Sequence, residues 1–185
     1  MIEELIQKSK NITAVGRSDI EPAWIAQAQR RLGFALPASY KQMLLRYASV
    51  SAAGTELKTI APPEFADSAD EGICYTYEVN LKNGLFAADE LVFLQLEDEE
   101  YYFKISPASD IADGSPNTAR GKTAESTSGE AAGETVRDIN ANAAGATMSE
   151  AADDASCEYK VYVRDYAQGE DRLFADDFYG FLEKF

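Results

Sequence analysis

The side chains in this sequence with the capacity for chemistry are mostly carboxylates: 32 acidic residues stand against 17 basic ones, with two cysteines and no histidine. Without histidine there can be no Ser-His-Asp or Cys-His relay, no imidazole acid or base near neutral pH, and no histidine metal site. A glycosidase needs only two carboxylates roughly 5 to 10 Å apart. Acids are so numerous here that no pair stands out. Cys74 and Cys157 have no C-x-x-C spacing and no second pair beside them, so they read as small buried hydrophobes rather than zinc ligands or a disulfide framework. Neither G-x-x-x-x-G-K-[ST] nor G-x-G-x-x-G occurs, so no backbone cradle for nucleotide phosphates is signalled. Asp67, Asp70 and Glu71 cluster, as do Glu97 to Glu100, but neither group has the Asp-x-Asp-x-Asp-Gly spacing that wraps calcium. The expectation is a protein that is not an enzyme, with no catalytic residue, metal or cofactor.

What the carboxylates can do is bind. A formal charge of -15 repels nucleic acid and anionic membrane surfaces and attracts basic proteins. Two groups are placed to meet such a partner. Glu97, Asp98, Glu99 and Glu100 fall on an expected hairpin tip, followed by Tyr101; Asp165, Tyr166, Glu170 and Asp171 surround the last expected turn. Tyrosines beside acids, among them Tyr75, Tyr77, Tyr101 and Tyr166, are the residue type that anchors interfaces. The alternative for any one cluster is that its charges merely keep the domain soluble.

The elements that must position these residues can be read from patterning. Ser18-Asp19-Ile20-Glu21 has the form of a capping box, and Ile20, Trp24, Ala28 and Leu32 repeat at four-residue spacing towards Gly33, predicting a helix with Pro22 in its first turn. Pro37 opens a second helix with the apolar stripe Tyr40, Met43, Leu44 and Tyr47. Ile2, Leu5 and Ile6 suggest a short helix before them. Beyond Tyr47, short aromatic and β-branched runs broken by Pro62-Pro63 and Asn83-Gly84 read as sheet. Leu91–Leu96 and Tyr101–Ile105 are predicted to form a hairpin, Tyr159–Val163 the next strand, and Phe178, Phe181 and Leu182 one face of a closing helix.

From about 107 to 156 the chain has no aromatic residue and holds nine acidic and three basic ones, net -6. That composition predicts a low-complexity insertion within a single domain spanning 1–185, and the strand after it must rejoin the same sheet. The expected fold class is α+β: N-terminal helices packed on one face of a mainly antiparallel twisted sheet, closed by a C-terminal helix. The N-terminus lacks the basic start and apolar run of a signal peptide, and no stretch approaches the roughly 20 apolar residues of a membrane span. A cytoplasmic location is therefore expected, with no membrane or nucleic-acid partner.

The run from Ile20-Glu21-Pro22-Ala23-Trp24 through Arg31-Leu32-Gly33-Phe34-Ala35-Leu36-Pro37-Ala38-Ser39-Tyr40 resembles the signature of the SUKH superfamily, where a first helix ends in Leu-Gly and Leu-Pro-x-x-Tyr opens the second. Asp98 to Phe103, Val161 to Tyr166 and Phe178-Tyr179-Gly180-Phe181-Leu182 are similar to its hairpin, its last long strand and its closing helix. The 107–156 insertion departs from the pattern, in which a much shorter connection joins those strands. The resemblance implies a bacterial immunity protein that binds and neutralises a cognate polymorphic or contact-delivered toxin, often a nuclease. A regulatory adaptor of the same fold is the other function it implies, since a yeast regulator of cell-wall synthesis belongs to the superfamily too.

Overall fold

The computed structural model describes residues 1–68, 72–105 and 157–185. The predicted insertion at 107–156 lies outside the described residues, as do Asp70 and Glu71 of the first acidic cluster. In chain order the elements are helix α1 (Ile2–Lys8), strand β1 (Ile12–Val15), helices α2 (Pro22–Leu32) and α3 (Ala38–Arg46), strands β2 (Ser49–Ala52) and β3 (Thr55–Glu56), and helix α4 (Ile73–Lys82). Strands β4 (Glu90–Gln95), β5 (Glu99–Lys104), β6 (Lys160–Asp165) and β7 (Glu170–Ala175) follow, and helix α5 (Phe178–Lys184) closes the chain. The fold is thus α+β. Its described strands divide between two antiparallel sheets, one ordered β1-β2-β3 and the other β4-β5-β6-β7. β6 pairs directly with β5, Tyr162 opposite Tyr102, so the strand beyond the insertion does rejoin the sheet it left.

The helices α2 and α3 form where patterning places them, with two local corrections. Ser18 and Glu21 do not make a capping box. Glu21 precedes Pro22, whose ring disfavours helical backbone at the residue before it. Glu21 is accordingly extended, with φ -92° and ψ 150°, and itself occupies the cap position. The Ser18 hydroxyl instead accepts from the Ile20 N–H at 3.0 Å. Because the helix starts at Pro22, Ile20 lies outside it, and the buried face runs through Ile25, Ala28 and Leu32 while Trp24 is half-buried at its margin.

Ile73–Lys82 is a helix where the aromatic and β-branched content of Tyr75, Tyr77 and Val79 reads as strand. Tertiary partners decide it. Ile73 and Cys74 are buried, and one turn on Tyr77 meets Phe34 edge-to-face at 5.6 Å. Glu78 on the neighbouring position accepts two hydrogen bonds from the Arg31 guanidinium of α2, tying the two helices together. Asn83-Gly84 ends this helix instead of separating two strands: Gly84 takes a φ of +66°, where a Cβ would be strained, and its N–H donates to the Leu81 carbonyl at 3.1 Å.

One core joins the layers. Leu91, Phe93, Tyr101, Phe103, Val161 and Val163 from the four-stranded sheet pack with Tyr40, Met43 and Leu44 of α3 and with Phe178, Phe181 and Leu182 of α5. Asp177 caps α5, its carboxylate accepting from the Gly180 N–H at 2.7 Å. Val92 and Tyr102 alternate with the core residues and are buried outside that cluster, on the sheet's other face.

Candidate partner-binding surface

The hairpin predicted around the second acidic run exists, and its turn is tighter than expected. The Leu96 N–H donates to the Glu99 carbonyl at 2.8 Å, which leaves Glu97 and Asp98 as the tip. Glu99 and Glu100 are the first residues of β5 and point to opposite faces. The β6–β7 turn is built by Asp165, whose carboxylate accepts from the N–H groups of Ala167 at 2.9 Å and Gln168 at 3.1 Å. A further bond, Tyr166 N–H to Asp98 carbonyl at 3.0 Å, ties the two turns side by side.

Between the turns lies an open concavity of about 450 Å³ lined by Leu96, Glu97, Asp98, Glu99, Asp165 and Ala167. Tyr166 stands beside it, 49 % exposed. Strand register adds a second feature. Glu99 is opposite Asp165, and Asp165 is opposite Glu170, so three carboxylates share one row across β5, β6 and β7. Like charges directly opposite in a sheet are destabilising. The nearby Arg172 guanidinium lies 3.5 Å from Glu99 and relieves part of this repulsion. The row leaves this end of the sheet with more acids than bases.

The structure separates the remaining predicted residues from this surface. Tyr101 is in the core, its ring edge-on to Phe174 at 5.0 Å and its hydroxyl donating to Glu99 at 2.6 Å. Glu100 is only 2 % exposed, on the face of the sheet away from the main core. Asp171 is held by Arg164 through two bonds of 2.8 and 3.1 Å. Tyr75 and Tyr77 sit on α4, Tyr77 donating to the Ala88 carbonyl at 2.7 Å. The acids available to a partner are therefore Glu97, Asp98, Glu99, Asp165 and Glu170, with Tyr166 as the exposed aromatic.

Glu100 belongs to a buried charge network that patterning did not reveal. Arg164, its neighbour across β6, bonds Glu90 at 3.1 Å as well as Asp171, and lies over the rings of Phe86 and Tyr102 at 5.0 and 5.2 Å. Lys104 also reaches Glu90, at 3.2 Å. The Glu100 carboxylate is hydrogen-bonded to Tyr166, while its Oε2 has no partner among the described residues. Burial raises its pKa above the ordinary carboxylate range, against the opposing pull of the Tyr166 hydrogen bond and Arg164. A carboxyl with a raised folded pKa contributes stability at low pH that is lost as pH rises through that value. Glu100→Gln should remove this loss. We expect the variant to be more stable than the parent at neutral pH and little changed at pH 4. Urea unfolding at the two pH values checks this, and an equal change at both would rule out titration of Glu100 as the cause.

The cleft between α2 and α4, lined by Trp24, Arg31, Cys74 and Tyr75 among others, encloses about 30 Å³. That holds a water or two rather than a metabolite. Burial pushes the Cys74 thiol up to about 11, so it stays protonated at neutral pH and is a poor nucleophile. Among the described residues no group of three Asp, Glu, Cys or His side chains is placed to hold a metal ion, and no helix is long and apolar enough to cross a membrane. No family model and no curated protein sequence matches the chain.

Proposed function

We propose that this protein is an immunity protein that binds a basic toxin through the acidic end of its four-stranded sheet and blocks it. The observation that carries the proposal is the gathering of Glu97, Asp98, Glu99 and Asp165 around one concavity, beside the exposed Tyr166. A nuclease must keep a positive cleft to hold phosphate, and an acidic surface can cover that cleft with fast, salt-sensitive association. The resemblance to the SUKH superfamily supports the same reading. It also makes a cytoplasmic site of action the natural one, where an arriving toxin would be met.

The decisive experiment is co-expression. A toxin encoded beside this protein should cease to inhibit growth when the protein is present, and a failure to protect would overturn the immunity reading and favour the regulatory adaptor. At the level of residues, Glu97→Lys combined with Asp98→Lys should slow association with the toxin by about tenfold or more at low salt and flatten its salt dependence. Both side chains are on an exposed two-residue turn, so the melting temperature should hardly change. Unaltered association kinetics, measured by stopped flow, would remove the hairpin tip from the interface.

A further inference from the structure

We propose that β7 accepts an extended basic segment of the partner as a fifth strand, paired along Glu170–Leu173. This deepens the proposed function and rests on the acidic end being the binding surface. The two edges of the four-stranded sheet differ. The outer side of β4 is engaged, since the Phe93 carbonyl accepts from the Lys58 N–H at 2.7 Å. β7 pairs only with β6 among the described residues, and Glu170, Asp171, Arg172 and Leu173 are all exposed. At the far end of β7 the register shifts past Phe174, whose carbonyl accepts from the Lys184 ammonium. The open stretch is therefore the four residues nearest the acidic turn.

An open edge invites pairing with any extended chain unless something discourages it. β7 contains no proline, and its irregularity lies at the end remote from the turn. What guards it is the negative charge of Glu170, which continues the row of Glu99 and Asp165; the two residues after it are Asp171, an acid held by Arg164, and the cation Arg172, which lies 3.5 Å from Glu99. That guard repels a second copy of this chain, whose own edge carries the same acids, and it attracts a basic strand. Beyond Arg172 the edge offers an apolar contact. Leu173, 48 % exposed, is opposite Tyr162, which stacks on Tyr102 at 5.9 Å. A segment that sets lysine or arginine opposite Glu170 and an aliphatic residue opposite Leu173 fits these two positions, its backbone supplying affinity and its side chains the choice of partner.

The test uses the full ¹⁵N-labelled chain and a capped Lys-Val-Lys-Val-Lys-Val peptide. Strand addition should shift the amides of Glu170–Leu173 and slow the hydrogen exchange of the alternate ones that point away from β6. Glu170→Lys should weaken binding roughly fivefold. Two N-methylated peptides separate backbone pairing from simple charge attraction. Methyl groups on one alternate set of amides should weaken binding by about tenfold or more, whereas the other set, facing away, should be tolerated. Equal binding by all three peptides, or shifts confined to Glu97 and Asp98, would overturn strand addition while leaving the acidic surface in place. Absence of any binding by the peptide also overturns it. The immunity reading is judged separately by the co-expression result, so the two can fail independently.

Discussion

Replacing Arg164 with methionine is expected to lower stability by about 3 kcal/mol at neutral pH, a loss that shrinks on acidification. The guanidinium is the cation shared by Glu90 and Asp171, and it lies against Glu100 and between the rings of Phe86 and Tyr102. Methionine keeps much of the apolar contact and removes the charge. Glu100, 2 % exposed, is then a buried carboxylate without its counter-ion, and Glu90, 8 % exposed, keeps only Lys104, at 3.2 Å, as counter-ion among the described residues. Breaking a buried pair by deleting one partner is costly because the other charge stays desolvated. The stranded Glu100 carboxylate takes up a proton as pH falls, so the gap to the parent protein should be widest at neutral pH. Adding Glu100→Gln should recover part of the loss, because the two side chains share one network. Denaturant unfolding of the single and double variants decides the matter. A loss below about 1 kcal/mol, independent of pH, would mean that solvent already screens these charges.

Tyr40→Ala should cost about 4 kcal/mol. Tyr40 is fully buried on α3, with its ring 5.3 Å from Phe103, 5.1 Å from Phe178 and 5.9 Å from Phe93. It is where α3, the four-stranded sheet and α5 meet, so truncation opens a cavity that none of the three can close alone. Its hydroxyl donates to the Lys58 carbonyl. Tyr40→Phe keeps the ring and should cost only about 1 kcal/mol, the net value of that hydrogen bond. Thermal and denaturant unfolding of the pair separates packing from hydrogen bonding. Equal losses would show that the hydroxyl, rather than the ring, holds the three elements together.

Much of the architecture was legible from patterning. The helical spacing of Tyr40, Met43 and Leu44, the paired strands around the second acidic run, and the Phe178, Phe181 and Leu182 face all appear where their periods place them. α4 was not legible, because Tyr75, Tyr77 and Val79 favour strands locally while Phe34, from a distant part of the chain, supplies the contact that favours the helix. The short β1 gave too few residues for a period to show. Within the candidate surface, four consecutive acids carry no period at all, so their run could not say where the turn stops and β5 begins. A register shift between Val92 and Leu94 settles that, bringing Glu100 opposite Gln95 and Tyr101 opposite Leu94.

Local residue types were enough for the α+β class, the excess of negative charge and the absence of imidazole chemistry, because each depends on composition or on neighbours a few positions apart. Which carboxylates meet solvent depended on the tertiary structure. Side chains alternate faces along a strand, so a slip of one residue exchanges a surface acid for a buried one. Glu99 thus lines the concavity while the adjacent Glu100 is enclosed. Arg164 shows the same division of labour across longer range. Its charge is written in the chain, but Phe86, Glu90, Tyr102 and Asp171 come together around it only when four separate segments pack. The stability of a buried charge depends on desolvation and on such distant partners, and neither is a property of the residues beside it.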